Sequence, residues 1–91
     1  MALAFRISRQ AGRFIKNLPP KQYKQVVASI LSLSTNPEPH DSKILKGTKV
    51  DYRRIDVGEY RVVYRVEIAT LLIAVAAKRN DDEAYKILKR L

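Results

Sequence analysis

The chain has 91 residues, no cysteine and one histidine, and its 18 Lys and Arg against 9 Asp and Glu leave a formal charge of +9. That length supports one domain over residues 1–91 and no second core. The missing thiols exclude disulfides, thiolate nucleophiles and Cys-type zinc sites, a lone His argues against any transition-metal site, and the positive charge points to a polyanion: nucleic acid, a membrane surface or an acidic protein.

In chain order, Leu3, Phe5 and Ile7 alternate with Ala4, Arg6 and Ser8, the period of a half-buried strand. Ser8 is placed to cap a helix whose apolar stripe is Ala11, Phe14, Ile15 and Leu18. Pro19-Pro20 interrupts it and opens a second helix with Tyr23, Val26, Val27, Ile30 and Leu31 on one face. Residues 35–41, with two prolines and His40, read as loop. His40 there is a poor candidate acid or base. Asp51 to Val57, the turn Gly58-Glu59 and Tyr60 to Val66 read as a hairpin. Thr70 to Ala77 is almost wholly apolar, which predicts a central strand covered on both faces. Asn80, with Glu83 three residues later, predicts a capped last helix with Ala84, Ile87, Leu88 and Leu91 inward. The fold class is α+β, a small antiparallel-rich sheet in the order β-α-α-β-β-β-α, with the helical hairpin on one face. The apolar run Leu71 to Ala77 is too short for a bilayer span, and Met1 to Arg6 lacks a signal peptide's apolar stretch. No membrane association and a cytoplasmic location are expected.

Two basic groups stand out. No acid precedes Glu38, while Arg6, Arg9, Arg13, Lys16, Lys21 and Lys24 do; such a face is either merely solvated or meets phosphates. In the hairpin, Tyr60, Val62, Tyr64 and Val66 form the core face, so Arg61 projects from the other, with Tyr52, Arg54 and Asp56 across from it. Arg53 breaks the alternation and belongs at the sheet's edge or near a bulge. Arg54 and Arg61 sharing a face repel unless an anion lies between them; pairing with Asp56 or Glu59 is the plain alternative. Lys78-Arg79 precedes the last helix, where a cation opposes the helix dipole. Strict alternation sends Arg79 to the side of Leu71, Ile73 and Val75, and does not decide whether it reaches Arg61. Tyr85, off the helix stripe, suits edge packing or stacking on a base.

Over nearly its whole length the chain resembles the RelE/ParE superfamily of bacterial toxins. The resemblance is carried by Lys46-Gly47, by Arg54-Ile55-Asp56-Val57-Gly58-Glu59-Tyr60-Arg61-Val62-Val63-Tyr64, and by Ala77-Lys78-Arg79 with Tyr85 six residues on. It is closest to the RelE-like mRNA interferases, and it implies a toxin that enters the ribosomal A site and cuts mRNA without metal or other cofactor. The RNA's 2′-hydroxyl attacks the adjacent phosphate, and a cognate antitoxin wraps and blocks the toxin. By position, the resemblance gives Arg54 a catalytic basic place, Arg61 the scissile phosphate, Arg79 the leaving oxygen and Tyr85 a nucleotide to stack on. Arg9, Arg13, Lys16, Lys21, Lys24, Lys46 and Lys78 would meet RNA or ribosome. Strong RelE nucleases carry a second basic residue where this chain has Asp56, and guanidinium is a poor proton acceptor. Either ribosome-bound geometry supplies the rate, or Asp56 accepts the 2′-hydroxyl proton. The alternatives are a ParE-like inhibitor of DNA gyrase and a non-catalytic RNA-binding module.

Overall fold

A computed structural model describes residues 2–45, 47 and 50–90, the side chain of Asp81 excepted. Strand β1 (Ala4–Ile7) leads into α1 (Arg9–Lys16) and α2 (Pro20–Leu33). A short β2 (Lys43–Ile44) then precedes β3 (Arg53–Val57), β4 (Tyr60–Glu67) and β5 (Thr70–Lys78). A 3-10 turn (Asn80–Asp82) and α3 (Glu83–Lys89) follow. The sheet order is β1-β5-β4-β3-β2, antiparallel except for the parallel pair β1–β5. The expected α+β order is therefore present, with β2 and the 3-10 turn added.

The sheet separates two apolar layers. On one face Ile55, Val62, Tyr64, Leu71, Ile73 and Ala76 pack on Ala11, Ile15, Val26, Ile30 and Leu33 of the helical hairpin. On the other, Val63, Ala74, Val75 and Ala77 pack on Ala84 and Leu88 of α3. Strand β5 is thus interior and covered twice, as its unbroken apolar run requires. The predicted Gly58-Glu59 turn joins Val57 to Tyr60, with Gly58 at φ +58°. Only glycine reaches that left-handed region without strain.

Four expectations change. The core face of β4 stops at Tyr64; Val66 is exposed, although its partner Leu71 is fully buried against the helical hairpin. The face bearing Arg61 is not open throughout, because α3 buries Val63 there. Phe5, Ile7, Tyr23 and Leu31 are exposed: β1 is an edge strand, and its Phe5 and Ile7, on the hairpin face beside Leu71 and Ile73, border an open groove of about 520 Å³ with Ile15, Val27 and Ile30. Asn80 does not cap α3. It starts the 3-10 turn, and Asp82, at φ +53° and with no side-chain cap bond, precedes the helix.

The decisive irregularity lies in β5. Val63 pairs with Val75 and Tyr64 with Ile73, so Ala74 is an extra residue, a bulge. Ala74 and Val75 consequently both lie on the α3 side. The Ser8 hydroxyl accepts from the Ala11 N–H at 3.1 Å, capping α1 as predicted, and donates to the carbonyl of Ala74 at 2.6 Å. Past Ile7 the Ser8 N–H makes the last backbone bond to β5, donating to Ile73 O at 2.9 Å. Gln10 takes over: its amide donates to Ala76 O at 2.7 Å and accepts from Ala76 N–H at 3.0 Å, as a strand peptide would.

Candidate functional site

Register places the hairpin arginines. Asp56 pairs with Arg61, Arg61 with Ala77, Arg54 with Val63 and Lys43 with Arg54. Directly paired residues share a face, and Val63 and Ala77 lie under α3, so Lys43, Arg54, Asp56 and Arg61 stand on that side. Lys43 was missed in the sequence. Its segment is too short to show a period, and only the pairing brings it beside Arg54.

Arg79 joins them because of the bulge. With Ala74 inserted, Val75, Ala77 and then Arg79 alternate onto the α3 side, and the Arg79 N–H donates to Glu59 O at 3.0 Å, extending the ladder past β5. Strict alternation would have sent it to the hairpin face with Leu71 and Ile73. Arg53 is not at a bulge. It pairs regularly with Tyr64 on the hairpin face, where it donates to Glu38 at 2.6 Å and to Ser42 Oγ at 3.0 Å, fastening the preceding loop.

Asp56 is the hub of the cluster. Arg61 grips it with two bonds, Nε to Oδ1 at 2.8 Å and Nη2 to Oδ2 at 3.3 Å, and Arg54 Nη1 reaches Oδ2 at 3.4 Å. The Arg61 hydrogen bond above all, then the charges of Arg61, Arg54 and Arg79, hold the Asp56 carboxyl below its ordinary range despite desolvation. The bond to Asp56 and the charge of Asp82 raise Arg61. Two cationic forks thus converge on one carboxylate, with a third positive charge nearby, in a partly exposed setting. Such a carboxylate is a weak base, and a guanidinium fork that fits it fits a phosphate equally well.

Tyr85 stands on α3, its hydroxyl close enough to the β2–β3 loop that a Cβ on Gly47 would lie 3.3 Å away. Lys89 Nζ lies 5.2 Å from the Tyr85 ring centroid. The remaining basic residues do not gather at the cluster. Arg9, Arg13 and Lys78 line an open cleft of about 730 Å³ with Phe14 and Tyr60 on the hairpin side, where the two rings meet edge to face at 5.7 Å. Lys16 borders the apolar groove beside β1. Lys21 and Lys24 are exposed on α2, and Lys46 lies outside the described residues. Among the described residues no group of three His, Asp or Glu could hold a metal, and no helix is long and apolar enough to cross a membrane.

A helical hairpin on one face of a five-stranded mixed sheet, with a short last helix on the other, is the architecture this chain shares with solved RelE toxins. A chain of the RelE–RelB complex from Pyrococcus horikoshii superposes with a TM-score of 0.77 at 26% identity, over 89% of this chain and 99% of that one. The RelBE2 toxin–antitoxin complex from Mycobacterium tuberculosis gives 0.72 at 26% identity, over 87% and 100%. A Methanocaldococcus jannaschii protein named "Putative toxin RelE1" is 34% identical over 83 residues, covering 88% of this chain and 91% of its own. Residues 5–82 match the ParE toxin family of type II toxin–antitoxin systems. The chain belongs to this RelE/ParE family and is a toxin of a toxin–antitoxin system.

Proposed function

We propose that this toxin is a ribosome-dependent endoribonuclease that cuts mRNA in the A site, and that a cognate antitoxin holds it inactive. The reading is supported chiefly by the convergence of Arg54, Arg61 and Arg79 around a single anionic group. Both superposed structures are toxin–antitoxin complexes, which supports the antitoxin partner.

In this reaction the 2′-oxygen forms a bond to phosphorus and the bond to the 5′-oxygen breaks. A cyclic phosphate remains on one fragment and a hydroxyl on the other. The attacking hydroxyl loses a proton and the leaving oxygen gains one. Negative charge grows on the non-bridging oxygens, where Arg61 offers its fork, while Arg54 and Arg79 add positive charge; Arg79 serves the leaving oxygen. Fixed donors aimed at developing charge contribute about 10²–10³ each in rate. A guanidinium group is a poor proton acceptor, and Asp56 is a weak base while gripped. The rate therefore rests on charge stabilisation and on alignment of the 2′-hydroxyl by the ribosome. Arg9, Arg13 and Lys78, on the other side of the sheet, would meet ribosomal phosphates rather than the cut linkage.

The test is to incubate the protein with programmed ribosomes, map mRNA ends, and assay gyrase supercoiling in parallel. A-site cuts that vanish in Arg61→Ala and Arg79→Ala support the proposal. The match to the ParE family, together with Asp56 in the site, favours gyrase inhibition as the second reading; intact mRNA with inhibited gyrase would establish it. Salt-sensitive RNA binding with neither effect would leave a binding module.

A further inference from the structure

Three guanidinium groups on one face need an anion, and in this fold the chain supplies its own. Asp56 receives Arg61 through both carboxylate oxygens and Arg54 through one of them. These are the positions that two phosphate oxygens would take on the same forks. The carboxylate is not locked away: its side chain is 31% exposed, against 19% for Arg61 and 23% for Arg54, so it can swing into water when a stronger ligand arrives.

We infer that Asp56 is a built-in substitute for a nucleic-acid phosphate, which occupies the anion subsite of the arginine cluster and attenuates the site until an incoming phosphate displaces it. The inference rests on the proposed reading of the cluster as a phosphate site. It gives Asp56 a role opposite to that of a proton acceptor: removing the carboxylate frees the forks and does not disable them. Its low proton affinity agrees, since the bonds that stabilise the charge are those a phosphate would have to replace. The same contact neutralises the arginines in the resting protein, so its loss strengthens phosphate binding while lowering stability.

A 2′-O-methyl oligoribonucleotide is a suitable probe, because it presents the same phosphates and cannot be cut by 2′-hydroxyl attack. Equilibrium binding at one fixed salt concentration should tighten about tenfold in Asp56→Ala and in the isosteric Asp56→Asn, the order expected when a charge-assisted contact need no longer be broken. The control is Asp51→Asn, which changes the net charge equally at an exposed loop residue outside the arginine cluster; it should tighten binding no more than about twofold. In an Arg61→Ala background the gain from Asp56→Ala should disappear. Unchanged or weaker binding in both Asp56 variants would overturn the inference and show that Asp56 orients Arg61. A gain matched by Asp51→Asn would overturn it too, as a mere charge effect. Programmed ribosomes keep the two ideas apart. If neither parent nor variant cuts mRNA while the oligonucleotide gain persists, the nuclease reading fails and the anion substitute stands. Cutting by the parent without any gain in the variants is the reverse.

Discussion

Gln10 allows an effect to be worked out from individual hydrogen bonds. Its side chain makes two of them, to the N–H and C=O of Ala76, and Ala76 is 1% exposed. Gln10→Leu keeps the bulk and removes both partners. No other strand lies at that edge, because β1 ends at Ile7 opposite Ile73. A buried backbone group left unpaired costs about 1–3 kcal/mol. Two such groups, with some relief from water at the edge, give an expected loss of about 2–4 kcal/mol. For a domain of this size each kcal/mol lowers the melting temperature by about 4–8 °C, so the variant should melt at least ~8 °C below the parent. Urea unfolding measures the loss directly, and amide exchange at Ala76 should quicken beyond that of Val62 across the ladder. Gln10→Glu keeps the acceptor but sets a carboxylate against the Ala76 carbonyl, and should cost no less. A loss under ~0.5 kcal/mol in Gln10→Leu, with Ala76 exchange unchanged, would refute the idea that this side chain serves as a strand. The stitch also matters for the site, because β5 carries Arg79 only two residues beyond Ala77.

Other outcomes follow from the same geometry. Arg61→Ala should reduce mRNA cleavage by about 10²–10³, and Arg61→Lys should restore little of it, because an ammonium cannot reproduce the two-pronged contact; quantified end mapping on programmed ribosomes checks both. Asp56 is more acidic folded than unfolded, so its contribution to stability is present above the unfolded carboxylate pKa of about 4 and is lost as pH falls through the lower folded value. Unfolding free energy followed downward from pH 5 should therefore fall more steeply in the parent than in Asp56→Asn. Ile68, fully exposed at φ +47° in the β4–β5 turn, pays for a left-handed backbone without burying its side chain; Ile68→Gly should raise stability by about 1 kcal/mol in urea unfolding.

The chain's local periodicities were enough to determine its helices, the Gly58-Glu59 hairpin and the placing of Arg54, Asp56 and Arg61 on one face. Each of these depends on neighbours a few residues apart, and alternation along a half-polar strand marks its own sides. The position of Arg79 was decided only in three dimensions. Residues 71–77 are apolar on both sides, so nothing in their pattern registers the extra Ala74. At the bulge β5 pairs with β4 on one edge, while on the other Ser8 takes the Ala74 carbonyl. The same holds for Lys43, brought beside Arg54 by a two-residue strand, and for Arg9, Arg13 and Lys78, parted from the arginine cluster by the sheet itself. Composition reports how much positive charge a chain carries; only strand pairing and layer packing determine which charges face one another.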